Sequence, residues 1–78
     1  MEIHRVACVG AGLIGQGWAT VFSSQGLEVI LQDISQELLK ESMKIIRLNL
    51  DFLEANSLLP KGEVENSIGR ITTTTHIP

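Results

Sequence analysis

Gly10, Gly12 and Gly15 are spaced as G-x-G-x-x-G, and one carboxylate, Asp33, follows 23 positions after the first of them. These residue types in this order can hold a nucleotide. Gly10 lets the chain turn tightly off the end of a strand. Gly12 has no side chain to keep the backbone away from a pyrophosphate, and Gly15 allows a new helix to pack closely on that strand. A helix opening near Leu13 leaves its first N–H groups without helical acceptors and turns its positive dipole end to the ligand, so phosphate is the natural occupant. Asp33 can accept both ribose hydroxyls of an adenosine and would repel a 2′-phosphate. With Ile34 rather than Arg after it, the acid favours NAD over NADP.

The surrounding elements must place these groups, and the sequence supplies them in the right order. Val6-Ala7-Cys8-Val9 is a continuous apolar run, as expected of a parallel strand covered on both faces. The helix that follows carries Leu13, Ile14, Trp18, Val21 and Phe22 at spacings that suit a helix resting on a sheet, and Gly17 would permit close approach to a neighbour. It should stop at Gln25, with Gly26 in the left-handed conformation that ends helices at little cost. Glu28 to Gln32 reads as a second strand closed by Asp33.

Ser35 is a good N-cap for a long helix reaching Ala55 or Asn56. Its apolar stripe is Leu39, Met43, Ile46, Leu50 and Leu53, widened by Leu38, Ile45 and Phe52. Arg47 and Asp51 lie one turn apart on the polar face and can pair. The stripe could be read as a coiled-coil seam, but at roughly two and a half heptads it reads rather as a crossover helix covering a sheet face. Asn56 to Pro60 is a break, Lys61 to Ser67 a short helical turn ended by Gly69, and Arg70 to Thr75 a third strand, its four threonines flanked by Ile71 and Ile77; a solvated tail is the competing reading of that run. The fold class is α/β: a Rossmann-type βαβαβ unit of three parallel strands ordered 3-2-1, forming an incomplete doubly wound sheet. The first strand presents an edge that should pair with another chain, failing which the isolated domain would be unstable.

Composition removes other classes. A chain of 78 residues makes one small domain and buries only ~60% of the surface its unfolded form exposes. A net charge of −3, with six basic residues scattered among nine acids, gives no stripe able to neutralise nucleic-acid phosphates. Cys8 stands alone, so neither an intramolecular disulfide nor a metal-ligand spacing exists, and a buried thiol is expected. There is no signal-peptide pattern or membrane span, from which a cytoplasmic location is expected. A glycine turn with only a packing role, an FAD site (usually with Glu at the acidic position) and a methyltransferase loop are the competing readings of the glycines.

VGAGLIGQGWA, then GLEVILQD, then the long helix and RITTTT, together resemble the N-terminal NAD-binding part of 3-hydroxyacyl-CoA dehydrogenases over nearly the whole chain. In that resemblance Gly10, Ala11, Gly12, Leu13, Ile14, Gly15 and Asp33 fall on cofactor-contacting positions. Ile14 stands where that family often has Met, and Trp18 where it often has a smaller aliphatic residue. The GWA version is more similar to the gulonate dehydrogenase and lambda-crystallin branch.

The resemblance implies a parent oxidoreductase of fatty acid metabolism that oxidises a 3-hydroxyacyl-CoA to the 3-oxoacyl-CoA by hydride transfer to NAD, working as a homo-oligomer. The alternatives are a dehydrogenase of a sugar or hydroxy acid such as gulonate, and a non-catalytic nucleotide-binding or crystallin-like structural module. Such chemistry needs a base for the hydroxyl proton, usually His held by a carboxylate. The family's His–Glu pair lies beyond the third strand. His4 and His76 match neither position, so no catalytic residue is assigned within the sequence. Residues 1–78 are expected to form a partial NAD-binding domain, lacking the remaining strands and a C-terminal substrate and dimerisation domain, and inactive alone.

Overall fold

A computed structural model describes residues 4–76; the start of the polar lead-in, at residues 1–3, and Ile77 lie outside the described residues. The elements run in the expected order: β1 (Arg5–Val9), α1 (Leu13–Ser24), β2 (Glu28–Gln32), α2 (Gln36–Ala55), α3 (Glu63–Gly69) and β3 (Ile71–Thr74). The strands form one parallel sheet in the order β1-β2-β3, the same neighbours as the predicted 3-2-1. Arg5 sits opposite Glu28 in the register, and their side chains pair at 2.9 Å across the two strands.

The turn chemistry behaves as the sequence implies. Gly26 (φ +90°) takes the expected left-handed conformation after α1; Gly62 (φ +92°), for which no such expectation was drawn from sequence, takes one before α3. The Ser35 hydroxyl accepts the Leu38 N–H at 3.1 Å and caps α2.

All three helices pack on one another and on one face of the sheet, because successive right-handed crossovers advancing in one direction return on the same side. The expectation of a strand covered on both faces is therefore corrected. In β1 only Cys8 is buried while Ala7 and Val9 are exposed; in β2, Val29 and Leu31 point into the core. The core is Cys8, Ala19, Val29 and Leu31 against Leu39, Ile46 and Leu50 of α2, closed at the far end by Leu59 and Val64. Burial raises the pKa of the Cys8 thiol, consistent with an inert apolar packing role.

The predicted inner face of α1 is also corrected. Leu13, Ile14, Trp18 and Val21 are exposed, Phe22 is half-buried, and Trp18 stacks on Phe22 with ring centroids 5.3 Å apart. The buried face consists of Gly15, Gln16, Ala19, Thr20 and Ser23. The reason is closeness: the glycine at position 15 lets the helix approach so near that only small or hydrogen-bonding side chains fit beneath it. Leu13, Ile14, Trp18 and Phe22 are turned instead toward the unpaired edge of β1, where they form a groove with Val6 and Cys8. Gly17 has no neighbour within 4 Å of a built Cβ, so the close approach expected of it does not occur among the described residues.

In α2 the stripe of Leu39, Ile46 and Leu50 is buried as expected, with Met43 and Leu53 half-buried. Leu38, Ile45 and Phe52 do not widen it, because Ser42 occupies the centre of the buried face. Arg47 does not pair with Asp51. Its guanidinium makes two hydrogen bonds to Glu65 of α3, at 2.6 and 3.2 Å, because α3 docks beside that turn of α2 and offers a carboxylate in fork geometry.

Candidate functional site

The glycine loop joins the carboxyl end of β1 to the amino end of α1, and its three glycines are glycine for three different reasons. Gly10 has φ +93°, a conformation that L-residues adopt rarely. A Cβ on Gly15 would stand 2.0 Å from the Gly10 carbonyl oxygen, which no rearrangement of a flexible side chain could relieve. Gly12 has neither constraint. Its φ is −74°, and a Cβ there would meet nothing within 4 Å. Neither backbone conformation nor packing within the chain demands glycine at position 12; a group that must approach the backbone from outside would.

The end of α1 is prepared for an anion. Gly12 is its N-cap, no side chain satisfies the first turn, and that turn contains no acid. The contrast with α2 is informative: that helix caps itself with Ser35 and carries Glu37 in its first turn. The unsatisfied N–H groups and positive dipole end of α1 are thus left for an external acceptor.

Asp33 stands beside this loop at the end of β2. Its Oδ2 accepts the Ala11 N–H at 2.9 Å and its Oδ1 accepts the Ser35 N–H at 3.1 Å. These two bonds, Ala11's the stronger influence, hold the carboxyl below the ordinary aspartate range against a smaller opposing effect of desolvation. Asp33 is therefore ionised at neutral pH. A carboxylate has about four acceptor positions, so two bonds to the backbone leave room for a diol.

The structure thus brings Gly10, Ala11, Gly12, Leu13, Ile14, Gly15 and Asp33 to one end of the sheet, as the spacing predicts. Leu13 and Ile14 differ from the others in that their side chains project outward into the apolar groove, and their contribution to the loop is through the backbone. His4 and His76 are not in this constellation. His4 precedes β1 at the opposite end of the sheet, and His76 follows β3 with its N–H on the Thr74 hydroxyl.

Two residues at the site carry no weight in the fingerprint. Gln16 is 5% exposed and donates from Nε2 to the Ala11 carbonyl (3.3 Å) and to Ser42 Oγ (3.2 Å). Ser42 is fully buried, and its hydroxyl also reaches the Ala11 carbonyl. The helical period held a clue: Ser42 lies three residues after Leu39 and four before Ile46, a polar residue in the middle of a buried stripe. Among the described residues no group of three His, Cys, Asp or Glu could hold a metal ion, and no helix is long and apolar enough to cross a membrane.

The family model for the NAD binding domain of 3-hydroxyacyl-CoA dehydrogenase matches residues 5–78. A lambda-crystallin homolog from Homo sapiens is 38% identical over 68 residues, which are 86% of this chain and 21% of that protein. A 3-hydroxyacyl-CoA dehydrogenase from Gibberella moniliformis is 59% identical over 32 residues, 41% of this chain and 10% of that protein. Among solved structures, a 3-hydroxybutyryl-CoA dehydrogenase from Escherichia coli superposes with a TM-score of 0.89 at 31% identity, covering 99% of this chain and 16% of that one. The chain spans about a fifth or less of the length of each of these relatives.

Proposed function

From the premise that this chain belongs to the family of 3-hydroxyacyl-CoA dehydrogenase NAD-binding domains, we propose that it holds NAD through Gly10–Gly15 and Asp33 for an enzyme that oxidises a 3-hydroxyacyl thioester. Bound NAD would supply the hydride acceptor for a secondary alcohol. The chain's own part is binding and orientation. The first N–H groups of α1 receive the pyrophosphate, and the side chain missing at Gly12 lets it come close. Asp33 accepts the hydroxyls of the adenosine ribose, and its charge disfavours a 2′-phosphate there.

The single observation that carries this reading is Gly12: a glycine with an unstrained φ, open space where its Cβ would be, and an uncapped helix end beside it. We propose no catalytic role for His4 or His76; the role proposed for this chain is to bind and orient the cofactor. Calorimetric titration of the folded chain with NAD and NADP tests the reading. We expect saturable NAD binding and much weaker NADP binding. A folded chain that binds neither would overturn it.

A further inference from the structure

We infer that Gln16 and Ser42 are positioning residues for the cofactor loop, acting by fixing the orientation of the Ala11–Gly12 peptide; the consequence for NAD rests on the binding reading above. The Ala11 carbonyl is the acceptor on which both side chains converge. Gln16 comes from the second turn of α1 and Ser42 from the middle of α2, 31 positions away from Ala11, so this one carbonyl is clamped by two different helices.

The direction of the donors is settled by chemistry. A carbonyl oxygen can only accept. The single Ser42 hydrogen is shared between the Ala11 carbonyl and the Leu38 carbonyl one turn back in α2. The Gln16 amide must therefore present its NH₂ to both, and its buried Oε1 has no hydrogen-bond partner among the described residues. Burying an unpaired amide oxygen is unfavourable, and the orientation persists because the two donors on the other side are satisfied.

The peptide geometry carries the effect to the cofactor. The Ala11–Gly12 peptide is trans and planar, so its N–H points opposite to its C=O. With the carbonyl drawn in toward Ser42, the Gly12 N–H is directed away from α2. The preceding peptide is locked as well, its N–H on Asp33 and its carbonyl against Gly15. Removing Gln16 and Ser42 takes away the two side-chain hydrogen bonds on the Ala11 carbonyl, and a rotated Ala11–Gly12 unit would turn a carbonyl oxygen toward an anion. A preorganised donor costs nothing to reorient on binding; a mobile one does.

The experiment compares Ser42→Ala and Gln16→Met with the parent chain, each nearly isosteric and each deleting the donors. Two readouts are taken on the full chain: the amide NMR spectrum without cofactor, and the NAD dissociation constant at a temperature well below melting. The inference expects the Gly12 and Leu13 amide resonances to shift or broaden in both variants, with Gly26 unmoved as an internal control, and NAD affinity to fall about tenfold. The NAD/NADP ratio, set at Asp33, should stay constant. Gly12 and Leu13 resonances that coincide with the parent's overturn the inference, whatever the chain binds. Altered resonances with unchanged NAD affinity also overturn it, leaving a structural role alone. Failure of the parent chain to bind NAD strikes the binding reading instead, and the cofactor-free spectra still decide the clamp. If Ser42→Ala does not fold, Gln16→Met, whose exchange keeps the volume, decides by the same criteria.

Discussion

The carboxylate of Asp33 accepts the Ala11 N–H at 2.9 Å, tying the end of β2 to the loop after β1 across 22 positions of sequence. One acid therefore has two roles in the proposed binding mode: it orders the glycine loop and it accepts the hydroxyls of the adenosine ribose. Replacing it should have both consequences. Asp33→Ala removes a charge-assisted hydrogen bond to the loop and the acceptors proposed for the ribose. We expect NAD affinity to fall by about 10- to 100-fold in calorimetry, with the preference over NADP largely erased. A variant that keeps the parent's affinity and selectivity would remove Asp33 from the site.

The same hydrogen bonds give a pH dependence whose sign is fixed. The Ala11 and Ser35 N–H groups hold Asp33 below its ordinary value of 3.8, so below about pH 4 the unfolded chain takes up this proton before the folded one does. The stability contributed by the ionised carboxylate is complete above that value and is lost as pH falls through the lowered one. Melting temperature should be flat with respect to this group from pH 8 to 5 and decline below about pH 4, and NAD affinity should decline only as pH falls through the lowered value of the folded chain. In Asp33→Asn that component of the decline should disappear, measured by melting curves across the acid range.

Gly12 and Gly15 should separate binding from folding. Gly15→Ala forces a Cβ onto the Gly10 carbonyl oxygen, backbone against backbone, and should cost about 3 kcal/mol, the upper end of overpacking effects. In a domain of this size that lowers the melting temperature by roughly 12–24 °C. Gly12→Ala adds a methyl group to open space at an unstrained φ, so melting should change by no more than a few degrees while NAD affinity falls at least tenfold. Equal behaviour of the two variants in melting and titration would refute the division of labour.

Arg70 is a stability prediction away from the site. Its guanidinium donates to the Ser23 carbonyl at 2.9 Å, joining the start of β3 to the last turn of α1, and lies 3.5 Å from Glu63. A cation at a helix C-terminus also interacts favourably with the negative end of the dipole there. Arg70→Met keeps the aliphatic stem and removes the donor, and should cost about 1–2 kcal/mol, read as a lower denaturation midpoint with NAD affinity unchanged.

The sequence by itself determined the order and kind of the elements, the place of the loop and the acid that would meet it. These are local properties. Glycines at 10, 12 and 15, β-branched residues in β2, Ser35 before a helical stripe and Gly26 after α1 each bias a few dihedral angles, and local biases are legible one window at a time.

Which face of α1 is buried was decided by tertiary structure. Leu13, Ile14, Trp18 and Val21 have the period of a buried stripe, yet the close approach at Gly15 admits only Ala19, Ser23 and their small or polar neighbours, and turns the large residues outward. Arg47 chose Glu65 over Asp51 for a similar reason, since a docked helix brought a better-placed carboxylate than the one along its own turn. Gln16 and Ser42 belong to the same class. Their residue types announce only hydrogen-bonding capacity, and the partner they share, the Ala11 carbonyl, becomes a neighbour to both only when α2 has folded back across the loop. Distance along the chain conceals such contacts, and packing alone creates them.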